Sequence, residues 1–175
     1  MLERRAIAAE LRAGAGRTLF GYAARFNVEA ELAGFTERIA PGAFRDVLAG
    51  GADVLALVDH NPEKLLGRTA SRTLRLSEDA QGLAFELELP DTSLAADVLA
   101  LARRGDLGGM SFGFIVPRGG DAWTGSVREL RRVELREISV VSAWPAYSQT
   151  EVAVRSRGAA LPLDLARAWL ATVRP

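Results

Sequence analysis

His60 is the only histidine of the 175-residue chain, and it follows the apolar run of residues 54–58. A continuous apolar run of this length predicts a buried strand that places the imidazole at its end. Histidine changes protonation near neutral pH and often serves as a general base. The alternative is a histidine that only packs or hydrogen-bonds at a strand end. A single histidine also excludes metal centres built from several imidazoles.

Ser111 stands between two glycines, Gly109 and Gly113, at alternate positions. In a strand these three residues share one face, while the opposite face carries large apolar side chains, Met110, Phe112 and Phe114. The apolar face predicts a strand anchored in the core, and the glycine-flanked face leaves room for a substrate backbone near the hydroxyl. Ser111 is therefore a candidate nucleophile. The alternative is that the glycines only mark a bulge or a tight bend.

Glu137 lies in a third predicted strand and shares a face with Leu135, Ser139 and Val141. Such a face is expected to turn towards the interior, where charged side chains are rarely found without a partner. The carboxylate is therefore a candidate for orienting a catalytic base. The alternative is an edge-strand glutamate bridged to one of the many arginines.

The residue types Ser, His and Glu supply the nucleophile, base and orienting acid of an acyl-transfer site. Asp59 competes with Glu137 for the third role. Neighbours in an extended strand point to opposite faces, which turns the Asp59 carboxylate away from His60. We therefore predict that the ring nitrogen of His60 that does not face Ser111 lies within hydrogen-bond reach of Glu137. The turn that begins at Ser142 is a candidate for binding the oxyanion.

The elements that position these residues are predicted from apolar periodicity and turn residues. Strands are predicted over residues 6–11, 17–26, 54–58, 69–76, 83–89, 111–116 and 127–141, with the first two as a hairpin and the last one bent. Helices are predicted over residues 42–49 and 94–104, the second capped by Asp91, Thr92 or Ser93 and buried through Leu94, Val98, Leu101 and Ala102. Pro62 is expected to break the strand structure after His60. The pattern predicts a mainly β domain, a barrel or a sandwich, with peripheral helices.

Composition excludes several classes of function. The chain has no cysteine, which excludes disulfides, thiolate metal sites and a cysteine nucleophile. Lys+Arg and Asp+Glu both number 22, so no net charge attracts nucleic acid or an acidic membrane surface. The charged N-terminus lacks the apolar stretch of a signal peptide, and no apolar run is long enough to span a bilayer. We expect no metal, no organic cofactor, no nucleic acid and no membrane partner.

Several motifs, taken in order, closely resemble one known family. They are the segments at residues 21–27 and 35–44, His60-Asn61-Pro62, Met110-Ser111-Phe112-Gly113-Phe114, and residues 135–141 running into Trp144-Pro145-Ala146-Tyr147. This series resembles the prohead (capsid maturation) proteases of tailed bacteriophages over about residues 17 to 153. The resemblance does not distinguish a phage, an integrated prophage or a phage-derived gene transfer particle.

The resemblance implies a mainly β fold, a barrel with flanking helices similar to the herpesvirus assembly protease. We expect the protease domain to span residues 1–153, and the residues after it, 154–175, are read from their sequence as a linker and a short helix. The family's nucleophile and base fall on Ser111 and His60. Glu137 takes the place of the second histidine of the herpesvirus enzymes, since this chain has none.

The implied activity is that of a serine endopeptidase that removes the scaffold-like N-terminal region of the major capsid protein. Because the chain has no long C-terminal extension, we expect that scaffold to lie on the capsid protein. The expected place of action is the bacterial cytoplasm, inside or at the assembling prohead, and the expected assembly is a homodimer. The alternative is a non-catalytic capsid-assembly or scaffold-binding module on the same fold. A small-molecule esterase has no supporting feature.

Overall fold

The computed structural model describes residues 1–7, 11–14 and 16–142. In chain order the described strands are β1 (Glu3–Ile7), β2 (Arg12–Ala13), β3 (Thr18–Arg25), β4 (Ala30–Leu32), β5 (Phe35–Ile39), β6 (Leu55–Val58), β7 (Asn61–Arg68), β8 (Leu74–Glu78), β9 (Gly82–Glu88), β10 (Gly109–Ile115), β11 (Asp121–Thr124), β12 (Val127–Leu130) and β13 (Glu134–Val141). The described helices are α1 (Arg45–Ala49) and α2 (Ser93–Arg104). The predicted linker, the predicted C-terminal helix and the boundary between residues 153 and 154 lie outside the described residues.

The described strands form three sheets. One has five strands in the order β1-β10-β13-β6-β7, and the other two have the orders β11-β12-β5-β4 and β2-β3-β9-β8. The prediction of a mainly β fold with flanking helices is confirmed. No closed barrel is found among the described strands, so the barrel stays a prediction. The five-stranded sheet positions all three candidate site residues. Ser111 lies on β10, Glu137 lies on β13, and His60 lies in the turn between β6 and β7.

Strand β10 is anchored by an aromatic stack on one face. Phe112 and Phe114 are fully buried and lie 5.1 Å apart between ring centroids. The Phe44 ring meets Phe112 edge-on at 5.9 Å and stacks on Phe26 at 6.2 Å. Aromatic pairs at these separations add about 0.5–1.5 kcal/mol each beyond the area they bury. The stack anchors β10 in the core, and Ser111 lies on the opposite face of the strand.

Helix α2 begins and ends as expected, and its buried face overlaps the predicted one in Val98 and Ala102. The Thr92 hydroxyl accepts a hydrogen bond from the Ala95 amide at 3.3 Å, and Gly105 closes the helix with a φ of 76°. The buried residues are Ala95, Val98, Leu99 and Ala102. They follow the i, i+3, i+4, i+7 spacing of a single helical face. Leu94 and Leu101 are half-buried, and Leu94 packs against the core as predicted.

The predicted N-terminal hairpin is right in its second strand and wrong in its first. β1 pairs with β10 rather than with β3, and the short β2 is the strand that pairs with β3. The predicted strand over residues 127–141 is instead two strands in different sheets. Between them the amides of Arg131 and Arg132 both donate to the Gly120 carbonyl at 2.8 Å, which turns the chain from one sheet to the other.

Strand β7 includes Pro62, but the pairing with β6 is interrupted there as expected, since Val58 pairs with Asn61 and the next pair joins Leu57 to Leu65. β7 is an edge strand, and a residue without an N–H group is tolerated where no neighbour needs its donor. The strand predicted over residues 69–76 begins only at Leu74. By contrast, the alternation in β9 is as predicted, with Leu83, Phe85 and Leu87 buried.

Candidate active site

His60 is held in the turn of the β6–β7 hairpin. Val58 and Asn61 are ladder partners, so Asp59 and His60 form a two-residue loop between them. Their φ angles are 50° and 59°, the pair of positive values typical of a type I′ turn. Positive φ costs a residue with a side chain about 1–3 kcal/mol, although Asp and His tolerate it better than most. This turn folds the imidazole back over the neighbouring β13.

The His60 ring meets Glu137 directly. Nδ1 of His60 lies 2.6 Å from Oε1 of Glu137, the contact predicted from the sequence. The His60 side chain is 20% exposed and the Glu137 side chain 7%, so the carboxylate is buried while one side of the ring stays accessible. An ionised carboxylate only accepts hydrogen bonds, so Nδ1 carries the proton and Nε2 is left as the acceptor in the neutral ring.

Ser139 completes the support of this pair. Its hydroxyl donates to Oε2 of Glu137 at 2.6 Å and accepts from the backbone N–H of His60 at 3.2 Å. One side chain thus fixes both the carboxylate and the turn that carries the imidazole. The sequence placed Ser139 on the same face as Glu137 but assigned it no role. In the structure its role is shown by its complete burial together with its hydrogen bond to Glu137.

Arg4 is the second charged group near the carboxylate. Its Nε lies 3.8 Å from Oε1 of Glu137, and its side chain is half exposed. The contact is long and the arginine is half in solvent, so this ion pair is weak. Glu137 is therefore shared between His60 and an arginine, but the short hydrogen bond is the one to His60.

Gly113 makes the space that Glu137 occupies. The two residues are ladder partners on β10 and β13. A Cβ atom at position 113 would lie 2.4 Å from Oε1 of Glu137 and 3.0 Å from its Cδ. The sequence predicts that this glycine leaves room for a substrate backbone, but in the structure it leaves room for the Glu137 carboxylate. Gly113 is thus a positioning residue for the His60–Glu137 pair.

We expect Gly113→Ala to displace the Glu137 carboxylate and to lower kcat/KM by roughly 10- to 100-fold, since small misplacements of catalytic groups have effects of this size. Peptide cleavage measured at several substrate concentrations checks this. Gly14→Ala is the matched control, because a Cβ there would meet Phe20 atoms at 3.4–3.5 Å, an ordinary contact. Full activity in a folded Gly113→Ala protein would contradict the positioning role.

Ser111 lies on β10 at the level of Ser139, its ladder partner on β13. It is 1% exposed, and its hydroxyl donates to the backbone carbonyl of Arg5 at 2.8 Å. A hydroxyl has one proton, so in this structure that proton is directed at β1 and not at His60. The structure therefore joins His60 to Glu137 and places Ser111 on the adjacent strand, with its hydroxyl turned to another partner.

Asp59 does not contact the imidazole among the described contacts. Its carboxylate accepts from the Ser142 amide at 2.8 Å and from the Ser142 hydroxyl at 2.7 Å, which ties the hairpin turn to the end of β13. The Ser142 amide is thereby occupied and is not free to bind an oxyanion. The rest of the predicted oxyanion turn, residues 143 and 144, lies outside the described residues.

The described part of the chain contains neither a metal-binding cluster nor a membrane-crossing helix. It holds no group of three or more His, Cys, Asp or Glu side chains that is arranged to bind a metal ion. Neither α1 nor α2 has the length and apolar character needed to cross a bilayer. The expectation that the reaction uses no metal or organic cofactor stays a prediction.

Comparison with known proteins identifies the family. A family model described as the caudovirus prohead serine protease matches residues 3–162. This span covers most of the chain and contains His60, Ser111 and Glu137. Neither the curated proteins nor the solved structures give a significant match. Since the model extends over nearly the whole chain and agrees with the motif order in the sequence, the chain belongs to the caudovirus prohead serine protease family.

Proposed function

We propose that this protein is a serine endopeptidase that removes the scaffold-like N-terminal region of the major capsid protein during prohead maturation. The observation that carries the proposal is the 2.6 Å contact between His60 Nδ1 and Glu137 Oε1, next to the strand of Ser111. An imidazole oriented by a buried carboxylate is the arrangement that activates a serine nucleophile. Family membership supplies the class of substrate, a capsid precursor.

In the proposed reaction, Nε2 of His60 accepts the Ser111 proton while Oγ attacks a peptide carbonyl carbon. The imidazolium returns that proton to the leaving amine as the peptide bond breaks, which leaves an ester on Ser111. Water then adds to the ester by the same route and releases the acid. Glu137 holds the Nδ1–H tautomer and stabilises the imidazolium. Backbone N–H groups are expected to bind the oxyanion.

The proposal includes a place and an assembly. Proteolysis would occur in the bacterial cytoplasm, inside or at the assembling prohead, because the substrate is present there before maturation. The resemblance to the herpesvirus assembly protease adds a homodimer as the active form. Sedimentation velocity of the active protein tests the dimer separately from the chemistry.

Incubation with the major capsid protein of the same source tests the function. A gel should show the capsid protein shortened by an N-terminal fragment, and mass spectrometry should locate one or a few cuts. Binding without any cleavage would contradict the protease and favour the scaffold-binding module. The buried Ser111 hydroxyl, bonded to β1, is the observation that keeps this second function in view.

We expect the acidic limb of the pH–activity profile to follow the protonation of His60. A protonated imidazole cannot accept the Ser111 proton, so activity falls as the pH decreases through that titration. Because His60 is the only histidine, one NMR imidazole signal reports its titration without assignment. The two midpoints should coincide for kcat/KM of a peptide substrate. Clearly separated midpoints would exclude His60 as the base.

A further inference from the structure

Strand β1 lies along the outer edge of the strand that carries Ser111. Among the described strands it is the terminal one of its sheet, and β10 is its single neighbour there. The antiparallel register places Ala6 opposite Ser111 and Arg4 opposite Gly113. The backbone of residues 4–6 therefore runs past the candidate nucleophile as an extended peptide.

The contact at Ser111 is one that a peptide substrate would need to replace. The Ser111 hydroxyl donates to the peptide carbonyl of Arg5 at 2.8 Å, and the residue is 1% exposed. On the same face Arg4 reaches the Glu137 carboxylate at 3.8 Å. While β1 stays in place, its backbone covers the edge of β10 through which a capsid segment would approach Ser111.

Strand β1 is held at the far side by ion pairs with a second sheet. Arg5 bonds to Glu37 of β5 through Nε at 2.6 Å, and Glu3 bonds to Arg128 of β12 at 2.7 Å. Burial raises the pKa of Glu3, but the hydrogen bonds and the charge of Arg128 outweigh burial and lower it, so Glu3 is ionised at neutral pH. These pairs fasten β1 without any covalent link.

Release of β1 would leave no buried charge without a partner. Glu37 is 3% exposed, and an unpaired carboxylate at that depth would be strongly destabilising. Arg128 lies 3.0 Å from Glu37 and 2.8 Å from Asp121, and both contacts remain when β1 departs. Glu3 and Arg5 would leave with the strand and become hydrated. Glu37, Arg128 and Asp121 therefore stay paired with one another after β1 separates.

We propose that β1 occupies the place of the substrate on β10, and that the site opens when β1 is released and an extended capsid segment pairs with the same edge. Addition of a peptide strand to a free sheet edge is a common mode of peptide recognition. This inference rests on the proposed function, and it assigns β10 as the strand that binds the substrate backbone. A covered nucleophile also keeps the protease inactive until a high local concentration of capsid protein displaces β1.

A thiol at position 111 tests the release of β1 without requiring catalysis. The chain has no cysteine, so Ser111→Cys provides the only thiol. Its reaction rate with a disulfide reagent such as DTNB is compared in three proteins. One carries Ser111→Cys alone, and each of the other two carries Ser111→Cys with one further pair of substitutions. Glu3→Gln with Arg5→Gln removes the ion pairs of β1. Arg75→Gln with Glu86→Gln removes an exposed pair elsewhere, at 2.8 Å between β8 and β9, and is the matched control.

We expect the thiol to react at least about tenfold faster in the β1 variant than in the control, whose rate should equal that of Ser111→Cys alone. Equal rates in all three proteins would overturn the proposal. Hydrogen exchange of the unchanged protein keeps the test valid if the β1 variant does not fold. There the amides of Glu3–Ile7 should exchange at least about tenfold faster than those of Glu134–Val141, and equal protection would overturn the proposal.

The two hypotheses fail in different ways. If the protein is not a protease, capsid cleavage is absent in every variant, while thiol reactivity still reports whether β1 uncovers position 111. If β1 is a permanent strand, thiol reactivity is the same in all variants, while the protein with Ser111 still cleaves the capsid protein. If both hold, Glu3→Gln with Arg5→Gln in the Ser111 background cleaves the capsid protein faster than the Arg75→Gln with Glu86→Gln control.

Discussion

Ser111→Ala is expected to abolish capsid cleavage while the chain remains folded. Loss of the nucleophile of a catalytic triad lowers kcat by roughly 10⁶-fold in other serine proteases. The substitution also removes the hydrogen bond to the Arg5 carbonyl, at a cost of about 1 kcal/mol in the free energy of unfolding. The measurement is the rate of appearance of the shortened capsid protein on a gel, together with a thermal unfolding curve.

Ser142→Ala is a suitable control for the loss of a hydroxyl near the site. It removes the bond to the Asp59 carboxylate but leaves the amide bond to the same residue in place. This variant should retain most of the activity. Continued cleavage by a folded Ser111→Ala protein would rule out the serine-protease mechanism, whatever the control does.

Glu137→Gln is expected to lower kcat by about 10²- to 10⁴-fold, less than the change at Ser111, because the orienting acid supports the base rather than reacting itself. A neutral amide cannot stabilise the imidazolium of His60. If its NH₂ group faces Nδ1, it also favours the tautomer with the proton on Nε2, which cannot accept from serine. Steady-state cleavage of a peptide substrate measures the effect, and the imidazole NMR signals report the tautomer.

Asp59→Asn is the matched control, an isosteric change at the residue next to His60. The Asn carbonyl can still accept from the Ser142 amide, and its NH₂ group can donate to the Ser142 hydroxyl oxygen. Asn is also well tolerated at positive φ. We expect Asp59→Asn to be nearly silent. If it were as damaging as Glu137→Gln, the assignment of the third member would be wrong.

The hydrogen-bonded pair of the site could be predicted from residue types and short-range pattern. A single histidine leaves one candidate base, and strand periodicity places Glu137 on an inward face. The same periodicity predicts which side chains of β9 are buried, whereas β10 is buried on both faces, Ser111 included. These inferences hold because the two-residue alternation of a strand depends only on local backbone geometry.

The Asp59–His60 turn and the role of Gly113 could not be predicted from the local sequence pattern. The turn at Asp59 and His60 lacks glycine, so the sequence did not show a type I′ hairpin there, and Pro62 pointed to a break instead. The role of Gly113 depends on a carboxylate that comes from another strand, 24 positions later, through the Gly113–Glu137 register. A glycine that makes room for a distant side chain has the same local signature as one that marks a bend.

By itself, the sequence determined the family, the mainly β character and the contact between His60 and Glu137, because these depend on motifs and on the local alternation of strands. Only the tertiary structure decided that β1 pairs with β10, that Ser139 links Glu137 to the His60 turn, and that the Ser111 hydroxyl faces Arg5. Strand pairing is a choice among many distant partners with similar backbone hydrogen bonds. It is settled by packing and ion pairs such as Arg5 with Glu37, which form only once the sheets are assembled.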